Sequence, residues 1–271
     1  MKKIVSMVLF LILAGCGNDT HPPQDQDEIY DPTPVYHSEE ATAPYDYDKF
    51  RAILESSKLQ YPEGKAVRNA GEFAGYQSEF FYCDTLSHLH FTVEKTKSML
   101  KIRSELREID EWKTSEPRIH SWRAELKTLK PEKGVDTYTW MQVHGSNDTY
   151  DFPLLRLAWV RNHEGKYDHL WAIIIINAPQ EVDTGENSEP ANDYSWVDLG
   201  ERRSDFFTVS VDMGNDTMVI SLDDKVLVYK DISYWGDVLN YFKGGVYMNR
   251  HEDVGTATAI FNRMDTYLEN R

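Results

Sequence analysis

The chain has 271 residues, with 29 Lys and Arg against 45 Asp and Glu, a net charge of −16. That excess of acid repels phosphate backbones, so nucleic-acid binding through bulk electrostatics is excluded, and an anionic ligand must be met by basic groups gathered in one place. Two cysteines leave little scope for disulfide staples, so stability has to come from a core of ordinary size.

Met1-Lys2-Lys3 is a short basic start. The apolar run at 4–13 has the length of a secretory h-region and is too short to span a bilayer. It leads into Leu13-Ala14-Gly15-Cys16, which resembles a bacterial lipobox. The resemblance implies that residues 1–15 are a signal peptide and that Cys16 is lipidated as the first mature residue. A plain secretory signal with a chance cysteine is the alternative, but the small residues before Cys16 and the polar Gly17-Asn18-Asp19 after it favour the lipoprotein. Cleavage removes Lys2 and Lys3 and leaves 27 basic against 45 acidic residues, a charge of −18. Once Cys16 is lipidated, Cys83 has no intrachain partner. Gly17 stands where an aspartate would signal inner-membrane retention, so the expected location is the outer membrane, facing the periplasm or the cell surface.

Residues 16–44 read as a tether. From Gly17 to Pro44 there is no Lys or Arg, while seven residues are acidic and five are Pro. Like charges and prolines extend such a chain, to at most ~90 Å if fully polyproline II.

Residues 45–271 are expected to form one all-β domain. Asp48 is read as the cap of a short helix with Phe50, Ile53 and Leu54 on one side. Strand signals then dominate. Residues 88–93 alternate, with Leu89, Phe91 and Val93 inward. Residues 155–160 and 170–176 are apolar, the second run expected to be buried on both faces. Residues 206–213, 218–222 and 226–229 are divided by Gly214-Asn215-Asp216 and Asp223-Asp224-Lys225, both good turn chemistry, and 256–262 reads as a last strand. The pattern predicts a sandwich or jelly roll. Residues 181–193 are acidic and turn-rich, a loop expected to border a cleft.

Three stretches carry polar groups on one face of a strand. In residues 100–107, Lys101, Arg103, Glu105 and Arg107 share a face opposite Leu100, Ile102, Ser104 and Leu106. Arg103 and Arg107 are ~13 Å apart along the strand, and guanidinium forks match carboxylates bidentately. Taken alone, that face reads as solvated surface with weak ion pairs, Glu105 holding the arginines apart. In Trp140-Met141-Gln142-Val143-His144, alternation puts Gln142 and His144 on one face with Trp140. In residues 241–249, Tyr241, Lys243, Gly245, Tyr247 and Asn249 oppose Phe242, Gly244, Val246 and Met248. Gly245 reads as a gap that lets a sugar ring approach the sheet.

In this order, Arg103-Ser104-Glu105-Leu106-Arg107, Gln142-Val143-His144 and Tyr241-Phe242-Lys243-Gly244-Gly245-Val246-Tyr247 resemble the three signature blocks of polysaccharide lyase family 7, the alginate lyases. The resemblance covers residues 45–271, including Trp112 and Trp196-Val197. Gly244 departs from it, the family more often having alanine, and is expected to loosen packing. The resemblance implies a β-jelly roll, a sandwich of two antiparallel sheets with substrate on the concave one. It implies β-elimination at a 4-linked uronate, in which the C5 proton leaves, the C4–O4 bond breaks and a C4=C5 double bond remains. The C5 proton beside an ionised carboxylate is too weakly acidic unless that carboxylate is neutralised. By the resemblance Arg103 and Gln142 do this, His144 serves as base, and Tyr247 serves as acid or as both acid and base. Glu105, Arg107, Tyr241, Lys243 and Asn249 become substrate contacts. Val143 in the middle block goes with mannuronate. The implied partner is the anionic polysaccharide alginate, met by a monomer that reaches the membrane through its lipid. The chemistry requires no cofactor and no metal.

Two decoys fail on spacing. Glu108-Ile109-Asp110 invites comparison with a glycoside hydrolase strand, but that chemistry needs a second carboxylate at i+4, which is Trp112, and Glu108 lies on the face opposite Arg103 and Arg107. His88 and His90 share a strand face without a placed third metal ligand. The rival from another class is a non-catalytic lipoprotein that binds uronate oligosaccharides. It would need the arginines and the lysine but not the proton-transfer pair.

Overall fold

The structure is a computed structural model and describes residues 31, 34–146, 151–177 and 193–269. The expected signal peptide, Cys16 and nearly all of the loop at 181–193 lie outside these. One helix, α1 (Asp48–Glu55), precedes the strands. In chain order these are β1 (Ser57–Gln60), β2 (Ala66–Arg68), β3 (Phe81–Cys83), β4 (Leu89–Lys95), β5 (Ile102–Glu108), β6 (Trp112–Lys113), β7 (Ile119–Thr128) and β8 (Thr137–Gly145). They continue as β9 (Pro153–His163), β10 (Lys166–Ile175), β11 (Tyr194–Glu201), β12 (Phe207–Gly214), β13 (Thr217–Leu222), β14 (Lys225–Asp231), β15 (Leu239–Met248) and β16 (Gly255–Glu269).

They form two antiparallel sheets. One has the order β11-β10-β9-β8-β15-β5-β1-β2, with β6 also paired to β15; the other runs β14-β13-β12-β7-β16-β4-β3. The hairpins turn where the sequence places them. Asn215 and Asp216 (φ 56° and 55°) and Asp223 and Asp224 (φ 47° and 62°) are left-handed at both central positions, as a type I′ turn demands. Leu106, Val143, Leu157, Phe242 and Val246 from the first sheet meet Phe91, Trp122, Val211 and Phe261 from the second in one core. Six of the seven tryptophans are buried in the fold, and at ~200 Å² and ~25 cal/mol/Å² each supplies an upper bound of about 5 kcal/mol. β10 is buried on both sides as expected: Leu170, Ala172 and Ile174 lie in the main core, while Trp171 and Ile173 join Ala158 and Val160 on the outer face.

Three expectations change. Asp48 is the first helical residue rather than the cap, which is Tyr47; there its carboxylate complements the helix N-terminus and pairs with Arg51 at 2.8 Å. The tether is shorter than 16–44. Asp31 pairs with Arg202 at 2.8 Å and accepts the Lys130 N–H, Thr42 bridges to Cys83 through the backbone, and Ala41 and Ala43 are buried. The acidic composition is extended by its own charge only until opposite charges on the domain engage it. Trp140 belongs to the core rather than to the face of Gln142, with its ring 6.0 Å from Phe207 of the other sheet. A bulge between Thr139 and Met141 in the β8–β9 pairing breaks the alternation there.

The glycine pair of β15 also has a different use. A Cβ on Gly245 (φ 144°) would stand 2.2 Å from the Ser104 carbonyl oxygen and 3.0 Å from Phe91, so it points at β5 and the core, not into a groove. The residue is glycine because the chain bulges between Gly244 and Tyr247 against β8 while pressing on β5. Beside it, Gly244 makes room for the tip of Met264 and for Trp122, 2.9 and 3.2 Å from where a Cβ would sit, so the space is filled rather than loose.

Candidate active site

Strand register brings the three sequence blocks together. β15 lies between β5 and β8, with Lys243 opposite Arg107 on one side and Gln142 on the other, Tyr247 opposite Arg103, and Tyr241 opposite His144. Directly opposed residues share a face, so these side chains stand on the face of the nine-stranded sheet turned away from the core.

Glu105 is the hub. It is fully buried, and its carboxylate accepts from Gln142 Nε2 at 2.5 Å and pairs with Arg103 at 3.3 Å and Lys243 at 3.5 Å. Glu105 was expected to sit between the two arginines and touch substrate. Instead it orients Gln142 and Lys243 from beneath, and Arg107 turns away to Glu111 at 2.6 Å, its guanidinium 3.7 Å from the Tyr241 ring. Arg103, Lys243 and Glu105 together leave one positive charge in a buried spot, a site built for an anion. Gln142 Oε1 and Arg103 Nε are buried without a partner among the described residues.

His144 donates through Nδ1 to the Gly145 carbonyl at 2.7 Å, with the Tyr241 hydroxyl 3.2 Å away. Since a carbonyl oxygen can only accept, the proton is assigned to Nδ1, and Nε2 keeps its lone pair. Burial, followed by the ammonium of Lys243, pulls His144 down to about 3. Lys243 itself is lowered to about 8, by burial against the pull of Glu105. Burial raises the Tyr247 phenol, opposed by Arg103, whose guanidinium lies 4.2 Å from the Tyr247 ring centre. At neutral pH the site therefore holds a neutral imidazole, a charged lysine and a protonated phenol.

The signs give a pH prediction. The folded pKa of His144 lies below its unfolded value of ~6.5, so the unfolded chain takes up the proton first as pH falls, and stability is lost between ~6.5 and about 3. Denaturant melts across that window should show less acid sensitivity in His144→Gln than in the parent. Lys243 loses its charge as pH rises through about 8, so KM for a uronate polymer should climb above that pH while no acid limb appears near 6.5.

The other predicted positions fall as follows. Asn249 is exposed, just beyond the end of β15. Glu108 is on the core side, accepting from Trp112 Nε1 and the Phe242 N–H, both at 3.1 Å, so it cannot serve as a second groove carboxylate. His90 lies on β4 of the opposite sheet and His88 just before that strand, and both converge on Asp84, at 3.0 and 3.3 Å. Sequence reasoning missed Glu111, the partner of Arg107, and the four-residue strand β1, where Lys58 stands opposite Arg107. The alternation of Lys58, Leu59 and Gln60 is a faint sign of that strand, too short to register by period alone.

A family model described as alginate lyase matches residues 54–267. An alginate lyase of Photobacterium sp. (strain ATCC 43367) is 31% identical over 255 residues, 82% of this chain and 86% of that protein. Among solved structures, alginate lyase AlyC3 is similar with a TM-score of 0.77 at 23% identity, over 88% of this chain and 100% of that one. Alginate lyase A1-II′, of polysaccharide lyase family 7, gives 0.61 at 20% identity, over 85% and 100%, and these two agree with the jelly-roll fold. By the extent of the family match and the identity to the Photobacterium enzyme, the chain belongs to the alginate lyase family of polysaccharide lyases.

Proposed function

We propose that the chain cleaves alginate, with preference for mannuronate, by β-elimination at the cluster around Glu105. The observation that carries this is the buried Glu105 binding Gln142, Arg103 and Lys243 at once, which leaves a net positive site beside a neutral imidazole and a protonated phenol. A uronate carboxylate entering there receives N–H donors from Gln142 and Arg103, and the charge that grows on it as C5 loses its proton is stabilised by donors already in place. The same carboxylate cancels part of the field of Lys243 on His144 and makes that imidazole a better base.

Tyr247, kept protonated by burial, delivers its proton to O4. In guluronate the C5 proton and O4 lie on opposite sides, so His144 Nε2 takes the first and Tyr247 serves the second. In mannuronate they lie on the same side. Tyr247 then works in both roles, with Arg103 favouring its ionised form against the opposing effect of burial. Val143 and the likeness to AlyC3, a structure of which holds dimannuronate, support the mannuronate preference. Initial rates on polymannuronate and polyguluronate test it: the first should be faster, and His144→Asn should impair the second more. Equal rates, or the reverse order of impairment, would remove the preference and the division of roles.

The lipobox supports anchoring through Cys16 with residues 1–15 removed, and Gly17 after it supports the outer membrane. Cys16→Ser should move the protein from the membrane fraction to the soluble fraction, and retention in the membrane would refute the anchor.

A further inference from the structure

The strand register draws a line across the face that carries the site. Lys58 stands opposite Arg107, Arg107 opposite Lys243, Lys243 opposite Gln142, Gln142 opposite Arg156, Arg156 opposite Ile173, and Ile173 opposite Trp196. These seven residues come from seven neighbouring strands. Six interstrand spacings of ~4.8 Å make a row of about 29 Å, room for on the order of six sugar residues laid across the strands, with Gln142 at the midpoint.

The two ends are chemically distinct, and neither is explained by the fold. Lys58 is partly buried and lowered by burial and by Arg107 beside it. Like charges directly opposite one another on paired strands are destabilising. Glu111, whose charge Lys58 feels, is already bound by Arg107, and among the described residues Lys58 makes no ion pair. An anion between Lys58 and Arg107 resolves that conflict. At the other end Trp196 is the one tryptophan that is not buried, with 37% of its surface exposed. His163 stacks on it at 4.0 Å and Trp171 meets it edge-on at 6.0 Å, which holds the ring in place. A fixed, half-open aromatic face suits a pyranose ring, whose C–H face stacks on it.

We infer that one uronate chain runs across the strands along this row, with Lys58 binding a carboxylate at one end and Trp196 stacking a sugar ring at the other, each about three strands from the cleavage point. This rests on the alginate lyase reading of the central cluster and extends it to the outer strands.

The test is the length dependence of kcat/KM on a graded series of oligomannuronates, followed by ultraviolet absorbance. Lys58→Gln and Trp196→Ala should each lower kcat/KM on the hexamer by roughly five- to twenty-fold, through KM, and lower it far less on the trimer, so that the hexamer-to-trimer ratio falls. Lys58→Arg should restore the ratio, since it keeps the charge. Trp196→Leu, which keeps apolar bulk but has no aromatic face, should behave like Trp196→Ala and covers the case of a misfolded alanine variant. An unchanged ratio in either set would overturn the assignment of that end. Calorimetric binding of the hexamer to Tyr247→Phe, alone and combined with each substitution, reads the row without turnover. If the parent formed no unsaturated product from any uronate polymer, the enzymatic reading would fail while this binding experiment still decided the row.

Discussion

Tyr247→Phe is expected to lower kcat by about a thousand-fold on mannuronate and guluronate blocks alike, with KM within a few-fold of the parent. The substitution removes one oxygen atom. The ring that remains still lies against the Arg103 guanidinium, and its backbone still pairs with Arg103 and Thr139. Substrate binding through Arg103, Gln142 and Lys243 is left in place; on guluronate the proton for O4 is withdrawn, and on mannuronate the base that takes the C5 proton goes with it. Because burial raises this phenol, the parent enzyme is fully loaded as an acid at neutral pH, so nothing else in the cluster replaces it: His144 is neutral, and Lys243 is held by Glu105. Steady-state rates from product absorbance check this, and a kcat within ten-fold of the parent would remove Tyr247 from the acid role.

The second large effect is expected at Glu105, and it falls on stability as well as on rate. Glu105→Ala leaves Arg103 and Lys243 buried without their shared counter-charge and frees the Gln142 amide. Breaking a buried ion pair by removing one partner costs about 3–5 kcal/mol. For a domain of this size that corresponds to a fall in Tm of roughly 10 °C. Turnover should fall by at least about a hundred-fold, since the donors for the developing charge lose their fixed positions. A Tm within a degree or two of the parent would mean that Glu105 does not organise the cluster. Glu105→Gln separates the two roles: it keeps an acceptor for Gln142 but not the charge that holds Lys243.

Much of this was legible in the sequence, for a physical reason. Period-two alternation survives wherever a strand has one face on the core, and it puts Arg103, Gln142, Lys243 and Tyr247 each on the polar face of its own strand. The two-residue turns at Asn215-Asp216 and Asp223-Asp224 were legible because left-handed backbone narrows the choice of residues. What escaped depends on neighbours far away in the chain. The β8 bulge that swings Trp140 inward, and the β15 bulge that demands glycine at 245, are set by pairing with β9 and β8. The partners of Glu105 are set by three-strand register, so the sequence neighbour Arg107 looked as good as Lys243, 138 residues distant. Asp31 looked like tether because its partners, Arg202 and Lys130, are about as remote.

The central claim is elimination rather than hydrolysis or simple binding, and one paired assay separates them. Incubate the protein with polymannuronate and follow ultraviolet absorbance and new reducing ends together. The account predicts that both rise in equal molar amounts, each cleavage leaving one C4=C5 bond and one new reducing end. Reducing ends without absorbance would indicate hydrolysis, and retained polymer binding with neither signal would leave a sugar-binding lipoprotein; either result contradicts the account.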